Sequence, residues 1–538
     1  MIEAVASSCR AAQMNEDEMQ REEVTVTDNG WDDECDVLVV GSGAGGLTGA
    51  YTAAREGLTV ILAEASGAFG GTTAYSGGGM WFPNNAVLAR AGSTDTPAAA
   101  RTYYRAVVGD RTPETLQDAY LETGPRLVDY LEADEAFRFV VWPWPDYYGS
   151  APEASPTGRH IIMKPIRPEQ LGDLRGLIRP PLGVERGGEE LPAAVNGGQA
   201  LVGRHLLALS GLPNADLRLN TCCDELVRDG DTVVGAVVSQ DGVRRRVRAH
   251  KGVIIASGGF EHNQEMRSEY GVPGAARDAM GPDTNQGLAI RAGIEVGADV
   301  DLMEEAWWSP GMTHPDGRST FSLWFTGGIF VDDQGDRFVN ESWAYDRIGR
   351  EVIARMDAGT VSLPFWMIHD DRDGAVPPVR SASVPIGRPA DYEEAGLWVS
   401  ADTLEELAEK IGVPPQRLVA SVERFNDFVA SGRDDDFGRG EEPYDRAFAD
   451  GGSPLVAIEK GPFHAAAFGL SDLGTKGGLR TDERARVLDA RGQVIRGLYA
   501  AGNSQAAVSG QTYPGGGNPI GSSMVFAHLA ALDMATTG

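Results

Sequence analysis

The segment between residues 36 and 64 leaves this chain few folds to choose from. Asp36-Val-Leu-Val-Val40 is a short apolar run of the kind buried on both faces of a parallel sheet. Gly41-Ser-Gly-Ala-Gly-Gly46 follows at once, and Leu47, Ala50, Tyr51 and Ala54 then recur at helical spacing, giving a helix one apolar face. Gly57 ends that helix, residues 59–63 read as a second strand, and Glu64 closes it. A GxGxxG string alone is weak. Set between a strand and an amphipathic helix, with an acid ending the next strand, it predicts a dinucleotide-binding βαβ unit. Gly41 permits the tight turn, Gly43 lets the backbone approach a pyrophosphate, and Gly46 allows helix and sheet to pack closely. The helix start, Ala44-Gly45-Gly46, offers N–H groups and a partial positive charge to the phosphates. Glu64 can accept hydrogen bonds from the adenosine ribose hydroxyls.

The same grammar returns at the far end, where residues 494–503 repeat a strand followed by glycine and residues 520–534 read as a closing helix. Between the two ends the pattern changes. Turn signals at Asp229-Gly230 and Asp241-Gly242 divide residues 217–257 into an antiparallel meander that leads into a buried run capped by Gly258-Gly259. A hairpin turning through Asp333-Gln-Gly335 is predicted over 329–339, and helices over 404–411 and 415–429. At 538 residues the chain exceeds one ordinary core. The predicted class is α/β: a Rossmann-like dinucleotide-binding domain of residues 31–303 and 472–538, interrupted by an inserted α+β catalytic domain of residues 304–471.

A formal charge of −31 argues against a nucleic-acid partner, since phosphate binding runs on Lys and Arg. Four cysteines are too few for a disulfide framework, and no CxxC spacing or matching histidines suggest a metal site. A reducing cytoplasm fits that usage. No apolar run approaches the ~20 residues of a membrane span. Residues 1–30 are polar and acidic, lack the basic start and apolar stretch of a signal peptide, and read as a disordered extension.

Gly70-Gly-Thr-Thr-Ala-Tyr-Ser-Gly77 and Gly497-Leu-Tyr-Ala-Ala-Gly-Asn503 resemble the flavin-contacting segments of the fumarate-reductase flavoprotein superfamily. The resemblance implies FAD. It assigns cofactor contacts to Gly71, Thr72, Thr73, Ser76 and Gly77 in the first segment and to Gly502 and Asn503 in the second, with Pro519 and Ile520 following. No histidine occupies the segment where some relatives attach flavin covalently, so a non-covalent FAD is expected. Fumarate reductases grip a dicarboxylate with arginine and histidine; Ser509-Gly-Gln-Thr-Tyr-Pro-Gly-Gly-Gly-Asn-Pro-Ile-Gly521 contains neither. A neutral carbonyl substrate suits such a site better.

That stretch resembles the Tyr-Pro-Gly-x-Gly signature of the 3-ketosteroid Δ1-dehydrogenases. The similarity runs over nearly the whole chain after Cys35 and includes Ala74-Tyr-Ser-Gly77, Trp144-Pro-Asp-Tyr-Tyr148, Asn340-Glu-Ser-Trp-Ala-Tyr345 and Ser471-Asp-Leu-Gly-Thr-Lys-Gly-Gly478. It implies 1,2-desaturation of a steroid A ring. Tyr513 and the Gly517 N–H would hold the 3-keto oxygen, Tyr345 would take the C2 proton, and Tyr147 would assist that base, although Tyr148 lies one residue away. The chemistry is coherent, because a C–H beside a ketone becomes removable once donors stabilise the developing oxyanion. A phenol, with a pKa near ~10, becomes a useful base when a second phenol donates a hydrogen bond to its phenolate.

Gln511-Thr512 and Asn518 depart from the usual family pattern and are expected to alter pocket shape and polarity. Trp307, Trp308, Phe321, Leu323, Trp324 and Phe325, with Trp81 and Phe82, are candidates for lining a long apolar slot. The expected partners are a 3-ketosteroid and an external electron acceptor such as a quinone, and the expected state is a monomer. Two other readings stay open: a flavin dehydrogenase of a different enone or ketone, such as a Δ4-(5α)-dehydrogenase, and a non-catalytic flavoprotein.

Overall fold

The computed structural model describes residues 30–382, 384–449 and 452–536; the extension expected over 1–30 lies outside the described residues except at Gly30. The expected βαβ unit forms strand Asp33–Val40, helix Ala44–Arg55 and strand Val60–Ala63, with Val37 opposite Val60 and Val40 opposite Ala63 in parallel register. Strand Ala215–Arg218 extends this sheet beyond Val60–Ala63, and Val243–Ile255 flanks Asp33–Val40 on the other side.

The meander is Thr221–Asp229, Thr232–Gln240 and Val243–Ile255, antiparallel throughout. Its last strand has two characters. Residues 243–245 are exposed and residues 247–250 alternate, whereas residues 252–255 are wholly buried in the parallel layer. Strand Val494–Ala500 pairs in parallel with that buried half, so the C-terminal portion of the chain completes the sheet begun at residue 33. Helix Asn518–Thr536 then packs against helix Ala44–Arg55.

A second, antiparallel sheet is centred on Phe463–Thr475, which pairs with Phe365–Asp370 on one edge and, on the other, with Trp398–Ala401 at residues 463–466 and with Ala306–Thr313 at residues 468–475. Helices Leu404–Ile411 and Pro415–Ser431 cover it, the second closed by Gly432 at a φ of 75°. The hairpin expected over 329–339 is shorter than predicted. Strand Ile329–Val331 returns through a single bridge, Val331 to Arg337. The Asp332 carboxylate takes the N–H groups of Gln334 and Asp336, and Arg337 turns away to ion pairs with Glu341 and Asp434, both at 2.8 Å. A three-stranded sheet of Gly79–Trp81, Phe139–Trp142 and His160–Met163 carries the loop that follows residue 142.

Arg439 joins the Arg337 cluster through Glu341 at 3.0 Å, and both side chains are fully buried. Glu341 is therefore the shared anion of two buried guanidiniums and also accepts the Phe330 N–H. Removing one partner of such a group leaves uncompensated buried charge. Glu341→Ala is expected to lower stability by about 3–5 kcal/mol, measured as the shift in the urea midpoint.

Candidate active site

The two sheets meet over a cavity of about 1350 Å³. Its dinucleotide end is walled by Gly41, Gly43, Ala44, Glu64, Gly71, Thr72, Thr73, Ser76 and Gly77, and further along by Gly502, Asn503, Pro519 and Ile520. Gly45 and Gly46 are not on the wall. A Cβ on Gly45 would press on Ser523, and one on Gly46 would strike the Gly41 carbonyl, so these two glycines serve the packing of helix against turn. Gly41 itself holds a φ of 98°, a conformation that favours glycine. Glu64 takes two hydrogen bonds on each oxygen, from Ser42 and Ser66, which fixes its carboxylate at the cavity edge. Asn503 accepts the Trp307 indole N–H at 3.1 Å, tying the cofactor end to the far end.

At that far end three phenols converge. Ring centroids of Tyr147 and Tyr345 lie 5.8 Å apart, those of Tyr147 and Tyr513 5.0 Å, and those of Tyr345 and Tyr513 5.6 Å. Each is set by a different element. Tyr345 opens helix Tyr345–Asp357, whose Arg347 donates to the Tyr147 carbonyl at 3.0 Å and pairs with Glu442 at 2.6 Å. Tyr147 follows the buried Asp146, which accepts from the Trp81 indole at 2.8 Å and pairs with Arg159 at 2.7 Å; burial still pushes that carboxyl up to about 6. The Tyr147 N–H reaches the Pro514 carbonyl at 3.0 Å, so the loop of Tyr147 is pinned to the turn that carries Tyr513. Tyr148 points off the wall and stacks under Arg347, which leaves Tyr147 as the phenol facing Tyr345.

The Gly517 N–H points at the Tyr513 hydroxyl from 3.4 Å. A main-chain donor and a phenol donor thus stand beside one point. Burial, then the neighbouring phenols of Tyr147 and Tyr513, raises Tyr345 well above the ordinary phenol value. Burial also pushes Tyr513 up to about 12, so it stays a proton donor at neutral pH.

A fourth tyrosine, Tyr444, joins the group with its ring 4.9 Å from that of Tyr147 and lines the same cavity. Of the aromatic candidates, Trp307, Phe321, Leu323 and Trp324 are on the wall, joined by Trp142 and Trp144. Trp308, Trp81, Phe82 and Phe325 are not; the first three are fully buried core, and Phe325 faces a smaller adjoining cavity. Gln511, Thr512 and Asn518 also stay off the wall, contrary to expectation. Gln511 reaches out to Glu305 at 2.8 Å, and Asn518 points into the core toward Tyr104.

Residues 36–520 match the family model described as the FAD binding domain. The 3-oxosteroid 1-dehydrogenase of Mycolicibacterium smegmatis is 39% identical over 94% of this chain and 98% of its own length. The chain belongs to the 3-oxosteroid 1-dehydrogenase family. Another relative, the 4-oxocyclohexanecarboxylate 2-dehydrogenase of Sinomonas cyclohexanicum, is 34% identical over 93% of this chain and 92% of its own. The crystal structure of a 3-ketosteroid Δ1-dehydrogenase from Sterolibacterium denitrificans with 1,4-androstadiene-3,17-dione superimposes with a TM-score of 0.85 at 32% identity, covering 94% of this chain and 100% of that one.

As a member of the 3-oxosteroid 1-dehydrogenase family the protein is an oxidoreductase whose cofactor is FAD. The cavity fits that group on its own terms. Helix Ala44–Arg55 begins at the cavity wall, and its Gly43 start has no side chain to cap it, so the positive end of the helix faces the place where a pyrophosphate would lie. The Ala44 N–H donates to the Thr73 hydroxyl at 2.9 Å, which holds that helix start against the short turn Gly71–Tyr75. Among the described residues no cluster of side chains could hold a metal ion, and no helix is long and apolar enough to cross a membrane. Gly46→Ala would drive its Cβ into the Gly41 carbonyl and shift the helix start off the pyrophosphate position. The purified variant is expected to lose most of its FAD, read as the flavin-to-protein absorbance ratio.

Proposed function

We propose that this family member removes hydrogen from C1 and C2 of the A ring of a 3-ketosteroid. The observation that carries the reading is the convergence of Tyr147, Tyr345 and Tyr513 with the Gly517 N–H at one end of the FAD cavity. In this reading Tyr513 and Gly517 donate to the 3-keto oxygen and stabilise the enolate that develops there. Tyr345, as its phenolate, takes the C2 proton and becomes neutral, and Tyr147 stabilises that phenolate beforehand by donating a hydrogen bond to it. Bound FAD, held non-covalently, supplies the acceptor for the C1 hydride, which leaves a C1–C2 double bond.

The wall favours a neutral, apolar substrate. Its charged residues, Glu64, Arg179, Glu185, Arg277 and Asp283, and its one histidine, His262, all belong to segments 64–68, 179–185 and 262–289. None comes from the segments that carry the tyrosines, where Trp142, Trp144, Trp307, Phe321, Leu323, Trp324 and Leu473 supply apolar surface. A carboxylate there would be desolvated without a partner. Residues 304–471 then act as the catalytic domain, the protein works as a monomer, and an external acceptor such as a quinone reoxidises the flavin.

An anaerobic titration with androst-4-ene-3,17-dione is expected to bleach the flavin and yield the 1,4-diene, while 4-oxocyclohexanecarboxylate leaves it oxidised. Bleaching by the carboxylate alone would transfer the reading to monocyclic ketones. Because burial holds the proton on Tyr345, the competent phenolate is scarce at neutral pH and grows as pH rises. The limiting rate of flavin reduction is expected to climb about tenfold per unit between about pH 7 and 9. Tyr345→Phe is expected to lose about 100-fold or more in that rate and to flatten the profile.

A further inference from the structure

Lys476 is fully buried, stands off the cavity wall, and has no part in the chemistry above. Its Nζ donates to the Gln511 carbonyl at 2.8 Å and to the Thr512 carbonyl at 3.3 Å, the two residues before Tyr513. It also reaches Asp346 Oδ1 at 3.4 Å, the residue after Tyr345, and lies 4.3 Å from the centre of the Trp307 ring, which packs on Tyr513. The contacts form a closed circuit. Asp346 accepts from Arg350 at 3.0 Å, Arg350 pairs with Glu305 at 3.0 Å, and Glu305 accepts the Gln511 side-chain amide at 2.8 Å. Two cations balance two carboxylates.

Burying an ammonium is costly, and here burial pulls the Lys476 amine down to about 7, with Arg350 acting in the same direction and Asp346 and Glu305 opposing it. Neutral side chains could fill the same volume. What the charged circuit adds is fixed geometry between two segments 168 positions apart in sequence (345 and 513), whose phenols must act on neighbouring atoms of one substrate.

We infer that Lys476 is a positioning residue for the desaturation: by holding the Gln511 and Thr512 carbonyls against Asp346, it sets where the Tyr513 hydroxyl stands relative to Tyr345. The inference rests on the steroid reading and goes beyond it. Tyr513 and Tyr345 touch the substrate; Lys476 acts through them.

The test is anaerobic stopped-flow mixing of the FAD-loaded protein with androst-4-ene-3,17-dione. It reads the limiting rate constant of flavin reduction, a quantity independent of the fraction of protein that is active. Lys476→Met is expected to lower that constant about 100-fold, the order associated with a misplacement of roughly 1 Å. In a Tyr513→Phe background the same substitution is expected to cost less than about threefold, because the group it positions is already gone. An unchanged constant in Lys476→Met, or an equal loss in both backgrounds, overturns the inference. Should Lys476→Met fail to fold with Asp346 left in excess, the pair Asp346→Asn/Lys476→Met removes both charges, and the same two outcomes are read from it. A wild-type protein whose flavin the steroid does not reduce overturns the desaturation reading instead, whatever the variants do.

Discussion

The site depends on how closely two stretches of backbone approach each other. Residues 515 and 517 lie so tightly on strand Gly79–Trp81 that no Cβ fits at either: at Gly515 it would meet the Trp81 indole, and at Gly517 the Gly79 carbonyl. Gly79 is equally confined, by the Trp142 ring. This contact presents the Gly517 N–H beside the Tyr513 hydroxyl. It also launches helix Asn518–Thr536, whose first turn lines the cavity with Pro519 and Ile520. A main-chain donor on a turn with no side chains to move has few alternative positions, which is what an oxyanion site requires. The neighbouring loops are fastened to the same turn, since Pro514 accepts from both the Tyr147 N–H and the Tyr103 hydroxyl.

Around this rigid centre the electrostatics are arranged in shells. The phenols face one another in an apolar, largely dry group with Trp307 and Tyr444, and burial raises all of them. Charge lies behind them, in pairs: Asp146 with Arg159, Arg347 with Glu442, and Asp346 with Lys476 and Arg350. Each pair adjoins a tyrosine in sequence or holds its backbone. The charged groups therefore fix positions without reaching the cavity, and a neutral ketone entering it meets donors and rings.

Legibility follows the physical range of the signals. The strand, turn and helix at residues 33–55 can be read from sequence because hydrophobic period and glycine spacing are local properties. The helices Leu404–Ile411 and Pro415–Ser431 are legible for the same reason. The hairpin at 329–339 is shorter than its pattern suggests because Asp332 and Arg337 spend their hydrogen bonds on side-chain contacts that no local pattern announces. Tyr147, Tyr345 and Tyr513 can be named only through a family resemblance, since nothing in their spacing says that residues 147, 345 and 513 meet. Tyr444 carries no motif signal, Lys476 lies in the family-like stretch 471–478 without any local sign of what it holds, and Trp142 ends a short strand without a clear period. Gln511 and Asn518 defeat a sequence reading because adjacency to Tyr513 and Gly517 does not fix direction: on a tight turn, neighbours point opposite ways.

The division of charge along the cavity then explains why one chain needs both sheets. A pyrophosphate calls for amides, a helix start and nearby polar groups, and the parallel sheet with its glycine turn supplies these at residues 41–77. A flat, neutral ring system calls for apolar walls, which residues 307–324 of the antiparallel sheet supply, and for two or three well-placed donors, which come from the turns at 147 and 513–517. Neither sheet could meet both needs. Buried parallel strands leave only their carboxyl ends for ligand, while strand Ala306–Thr313 turns the Trp307 ring onto the cavity wall. The Trp307 to Asn503 hydrogen bond crosses from one to the other. It joins Asn503 on the cavity wall to the ring that packs on Tyr513, so the two ends of the cavity are held by the same contacts that join the two sheets.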